Sequence, residues 1–128
     1  MVAILREPKA DRVDETAILH AIRERLGKET DLVLWRNALA TGERWDEKSG
    51  RTAMFRGGLG EGSSDLVGLL APAGRLVALE VKSAKGRLLE SQAQFLSLVR
   101  RMGGFACVVR SVAEAVAAID RARLGALE

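Results

Sequence analysis

Glu80 and Lys82 stand two residues apart in "LEVKS", with apolar residues on both sides. Side chains alternate across a strand, so Leu76, Ala78, Glu80 and Lys82 share one face while Val77, Leu79 and Val81 share the other. Upstream lies a second apolar run, "SDLVGLLA", joined to the first around Pro72 and Ala73. A hairpin centred there pairs Leu70 with Arg75 and, further along, Asp65 with Glu80. Directly opposed residues on one face have Cβ atoms about 4.5 to 5.5 Å apart. Two carboxylates at that range repel, and partial burial drives one of them to keep its proton unless a cation sits between them. A divalent metal with oxygen ligands resolves the conflict, and Mg²⁺ in particular binds through carboxylates together with substrate phosphate oxygens. The pairing depends on the loop length, because a slip of one residue turns Asp65 to the other face. The plainer reading of Glu80 and Lys82 is a surface pair on an edge strand, contributing at most about 1 kcal/mol.

The elements that must position these groups can be read along the chain. Residues 1 to 12, with Pro8 and mixed charges, read as a flexible N-terminal arm, and residues 13 to 124 as a single domain. Glu15, Ile18, Leu19, Ile22 and Leu26 form one face of a helix beginning near Asp14 and ended by Gly27. Residues 31 to 37, "DLVLWRN", predict a strand. The polar stretch from Ala38 to Arg51 predicts an extended loop or a poorly ordered hairpin, and "TAMFRG" a short strand before the glycine-rich "GGLGEGSS". After "AKGR" a helix is predicted from Glu90 to Met102 with Phe95, Leu98, Val99 and Met102 as its buried stripe. "FACVVR" reads as a buried strand, and Ser111 as the cap of a last helix carrying Val112, Ala115, Val116 and Ile119. This order predicts a mixed α/β sheet with helices packed on it, the strand after the second helix returning parallel through a crossover.

Composition narrows the function classes. At 48% hydrophobic and 29% charged residues over 128 positions, the chain can build a core, which excludes a disordered protein. The net charge of +3 suits a polyanionic partner. The lone Cys107 excludes an internal disulfide and sits in an apolar run where a thiol nucleophile is unsuited. His20 is the only histidine, which excludes mechanisms built on several histidine ligands or histidine bases. No secretion signal and no apolar run long enough to span a bilayer are visible, so a cytoplasmic protein is expected.

Glu15, "SSDL" around Asp65, "LEVKSAKGR", Gln92 and "RRMGGFACVVRSVAEA", with "WRN" at 35 to 37, together resemble the VRR-NUC family of the PD-(D/E)XK nuclease superfamily. The resemblance implies a restriction-endonuclease-like core of order αβββαβ and a phosphodiesterase dependent on Mg²⁺ or Mn²⁺. It makes Asp65 and Glu80 metal ligands, adds the backbone carbonyl of Val81 as a further ligand, and makes Lys82 the catalytic lysine. Glu15 and Gln92 match the family's supporting positions around the metal. On the residues alone, Glu15 is either a carboxylate seeking a partner on an apolar stripe or a first-turn acid favoured by the helix dipole, and Gln92 reads ordinarily as a solvated side chain. Two departures stand out: Ser64 where the family has proline, and Leu89 and Glu90 where it has Ser-Pro.

Metal held by Asp65 and Glu80 would polarise a phosphate, with Lys82 orienting water or offsetting developing charge. Arg36 with Asn37 and Lys85 with Arg87 are candidates for flanking phosphates, solvated surface being the plain alternative for the latter two. The expected partner is DNA, branched or flapped by analogy with junction resolvases, and the expected assembly a homodimer without membrane attachment. The competing readings are a non-catalytic nucleic-acid binding module on the same fold and a hydrolase of small phosphoesters.

Overall fold

The computed structural model describes residues 9 to 38 and 40 to 128. The chain runs α1 (Lys9–Leu26), β1 (Leu32–Arg36), β2 (Ala40–Asp46), β3 (Arg51–Gly57), β4 (Leu66–Leu70), β5 (Arg75–Val81), α2 (Glu90–Arg101), β6 (Phe105–Val109) and α3 (Val112–Arg123). Four strands form one sheet in the order β1-β4-β5-β6, while β2 and β3 pair only with each other. β1, β4 and β5 are antiparallel neighbours, and β6 lies parallel to β5 because α2 carries the chain back across the sheet. Leaving aside the β2–β3 hairpin and α3, the order is the predicted αβββαβ.

Each face of the sheet buries a different apolar set. Val77, Leu79 and Val81 of β5 join Leu19, Ile22 and Leu26 of α1 and Ala115, Ala118 and Ile119 of α3 in the larger core. Ala78 and Ala106 face the other way and pack on Leu96 and Val99 of α2. α2 therefore presents Phe95, Leu96 and Val99 to the sheet, and the predicted stripe is corrected at two positions: Leu98 is 43% and Met102 82% exposed. The sheet surface beneath α2 is narrow and lined by alanine, so one turn of the helix suffices to cover it. Helix α3 begins as predicted, its Ser111 Oγ accepting from Glu114 N–H at 3.1 Å.

Two further expectations differ in extent. Helix α1 starts at Lys9, ahead of the predicted Asp14, because its first turns are polar and lack the apolar spacing that marks a helix in sequence. The rest of the predicted arm, residues 1 to 8, lies outside the described residues. The stretch from 40 to 57 is a regular antiparallel hairpin with Ala40 opposite Gly57 and Asp46 opposite Arg51. Its turn is closed by Gly50 N–H donating to the Asp46 carbonyl at 2.9 Å.

The hairpin that matters for the site has the register read from its loop. Leu70 pairs with Arg75 and Leu66 with Leu79, so the next step of the ladder sets Asp65 against Glu80. Gly68 sits at the middle of β4, where a Cβ would lie 1.9 Å from the Val33 carbonyl oxygen of β1. Replacing Gly68 by alanine forces the strands apart, and Gly68→Ala is expected to cost about 3 kcal/mol or more in urea unfolding. An unchanged midpoint would remove this close approach from the account. Among the described residues, no helix is long and apolar enough to cross a membrane.

Candidate active site

The end of the β4–β5 hairpin gathers the predicted acidic and basic groups. Glu80 is 2% and Lys82 3% exposed, so neither belongs to a surface pair. Lys82 Nζ stands 3.8 Å from Glu80 Oε1. Asp65 accepts from Val81 N–H through Oδ2 at 2.8 Å, which ties the carboxylate to the backbone of the opposite strand. The N–H and C=O of one strand residue point to the same side, so the Val81 carbonyl also faces the Asp65 side of β5. Lys82 N–H turns the other way and donates to the Val109 carbonyl of β6 at 3.1 Å.

Burial sets the protonation of this cluster. Glu80 is pushed up to about 9, first by loss of water, then by the Asp65 charge and a side-chain hydrogen bond with Asp65; Lys82 opposes the rise and Glu15 adds to it. A hydrogen bond between two carboxyls needs a proton, so at neutral pH the metal-free pair holds one. Glu15 reaches the site from α1, where its Oε1 accepts from Ser83 N–H at 3.3 Å. Among the described residues, no three His, Cys, Asp or Glu side chains are grouped to hold a metal ion. The oxygen donors that converge are those of Asp65, Glu80 and the Val81 carbonyl. Such hard oxygen donors fit a divalent cation such as Mg²⁺ or Mn²⁺, which would take the place of the shared proton.

Gln92 lies in the first turn of α2, where its Oε1 accepts from Leu89 N–H at 2.9 Å. The glutamine thus supplies the helix start that Leu89 as N-cap residue does not provide. It lines a cleft of about 410 Å³ with Asp65, Arg36 and Asn37, which brings two predicted groups to one place. Arg36 is exposed there. Asn37 is engaged throughout: its Nδ2 donates to Ser63 Oγ at 2.7 Å and to the Ser64 carbonyl at 2.9 Å, and its Oδ1 accepts from Leu59 N–H at 3.0 Å. Its backbone N–H donates to the Asp65 carbonyl at 2.8 Å. In this arrangement Asn37 holds the glycine-rich loop that delivers Asp65. The loop is pressed so closely on α2 that a Cβ at Gly62, whose φ is +81°, would lie 2.6 Å from the Ser91 carbonyl oxygen. Lys85 and Arg87 are exposed on the turn after β5 and are not among the residues lining the cleft.

Arg110 is the residue that the sequence reading missed. It follows β6, and its Nη1 donates to the Ser83 carbonyl at 2.5 Å and to the Gly86 carbonyl at 2.8 Å. Together with Glu15 it clamps the turn directly after Lys82. An arginine at a strand end carries no periodic signal, so only the parallel pairing of β5 and β6 reveals it. Ser64, at the family's proline position, is fully buried, and its Oγ has no hydrogen-bond partner among the described residues. Burial pushes the Cys107 thiol up to about 11, in keeping with an inert core residue.

A family model described as the VRR-NUC domain matches residues 14 to 113. The match runs from α1 into the first turn of α3 and contains every group described at the site. No curated protein matches the chain.

Proposed function

Since the chain belongs to the VRR-NUC domain family of the PD-(D/E)XK nuclease superfamily, we propose that it is a divalent-metal-dependent endonuclease acting on branched or flapped DNA. Family membership indicates a nuclease-type, DNA-processing function. The observation that carries the finer reading is the juxtaposition of half-buried Asp65 with buried Glu80 and Lys82, a costly arrangement that a phosphate-binding module does not need.

In this reading Asp65, Glu80 and the Val81 carbonyl would hold the cation. When bound, it supplies Lewis acidity toward a phosphate oxygen and toward the attacking water. Glu80 would release its proton to solvent when the cation binds, leaving both carboxylates free to serve as oxygen donors. Lys82, held in place through its backbone and beside Glu80, orients the water and offsets charge developing on the phosphate. Glu15 and Arg110 fix the turn after Lys82, and Asn37 fixes the loop before Asp65. Arg36, Lys85 and Arg87 serve as contacts to flanking phosphates.

The test is cleavage of labelled four-way junction, flap, single strand and duplex with Mg²⁺, with Mn²⁺ and with EDTA. Cutting of junction or flap that EDTA abolishes is the expected result. Tight binding without cutting under any metal would replace this reading by the non-catalytic module.

A homodimer suits the cutting of two strands. The half of the sheet face not covered by α2 supports it, because Val33 and Trp35 of the edge strand β1 are 51% and 53% exposed beside Leu69 and Leu76. Light scattering is expected to give twice the mass of the chain; a monomer with full activity would end the dimer proposal.

A further inference from the structure

The cleft beside Asp65 has the dimensions and lining of a subsite for one nucleotide. Its volume is about 410 Å³, within the range of small-molecule sites. Asp65 is the member of the carboxylate pair that borders it, so whatever enters lies next to the phosphate being cut. Leu19 and Leu89 give it apolar walls suited to the face of a base. Gln92 has its amide oxygen committed to Leu89 N–H, which leaves its NH₂ to donate to a base edge. Arg36, exposed at the same cleft, suits the phosphate on the far side of that nucleotide.

We propose that this cleft receives a single unpaired nucleotide adjoining the scissile phosphate and that this requirement selects branched or flapped DNA. The proposal rests on the nuclease reading above and deepens it. A base inside a duplex would have to leave its stack and its partner to enter, whereas a base already unpaired at a branch enters at little cost. Selectivity then follows from the cleft's shape without any reading of sequence.

The test measures binding in Ca²⁺ by fluorescence anisotropy, using a flap substrate in which the first unpaired nucleotide is intact or abasic. Loss of the base is expected to weaken binding on the order of tenfold, the scale of burying one base face against two leucines. 2-Aminopurine at that position is expected to brighten on binding as it leaves its neighbours. Ala38→Trp, which fills the cleft from its rim, is expected to erase both effects. Equal affinity for intact and abasic flaps, with unchanged 2-aminopurine emission, would overturn the proposal using the unaltered protein alone. Base-dependent binding without cleavage in Mn²⁺ would keep the subsite and remove the nuclease reading. Cleavage without base dependence would remove the subsite and keep the nuclease.

Discussion

Lys82→Ala is expected to lower the single-turnover cleavage rate by a factor of about 10² to 10³, with the domain still folded. Lys82 is 3% exposed and its Nζ lies 3.8 Å from Glu80, so in the proposed mechanism its charge would act on the reacting phosphate with little screening by water. Folding survives the loss because Glu80 is protonated at neutral pH in the metal-free protein, and no pair of buried anions is left facing each other. Lys82→Met keeps most of the side-chain volume and separates charge from packing. Both variants are to be compared with the parent by cleavage in Mn²⁺ and by thermal unfolding. Full activity in a folded Lys82→Met protein would show that the lysine plays no part in catalysis.

Metal binding is expected to release close to one proton near neutral pH, and affinity to rise by up to about tenfold per pH unit between pH 6 and 9. In the folded, metal-free domain Glu80 keeps its proton up to about pH 9, whereas the unfolded chain loses it near 4.5. Between those values the folded state carries the additional proton. Raising the pH therefore destabilises the metal-free domain, with a slope of up to about 1.4 kcal/mol per unit, and the loss is complete only above about 9. Mn²⁺ at about a hundred times its dissociation constant adds back about 2.7 kcal/mol. Calorimetry in buffers of different ionisation enthalpy counts the proton, and melting curves from pH 5 to 9 with and without Mn²⁺ follow the stability. Glu80→Gln should flatten the metal-free slope. Binding with no proton released, together with a flat profile in the parent protein, would mean that Glu80 is ionised throughout.

Both predictions start from a register that could be read before any coordinates. A short loop and strict alternation suffice to oppose Asp65 and Glu80, because each step along an antiparallel pair is forced by the one before it. Residues governed by packing between elements were less accessible. Leu98 and Met102 have the spacing of a buried stripe, yet α2 meets only the alanine-lined half of the sheet and Leu96 takes the inward place. Adjacent Arg44 and Trp45 of the β2–β3 hairpin are both exposed, as is Met54, so this part of it lacks the in-and-out alternation that announces a strand. The clamps made by Asn37 and Arg110 join segments far apart in the chain through single polar side chains, which have no period at all.

The sequence by itself determined the inventory of the candidate site: two carboxylates and a lysine on one face of a strand pair, with no histidine or thiol able to replace them. That inventory is local, carried by residue type and the two-residue period of a strand. Only the tertiary structure decided the proton on Glu80, the fixed turn after Lys82 and the cleft beside Asp65. Each of these depends on which distant segments exclude water from the end of the hairpin: α1 brings Glu15, β6 leads to Arg110, and α2 brings Gln92. Burial and long-range polar contacts are properties of the packed chain, so they emerge only when the helices close over the sheet.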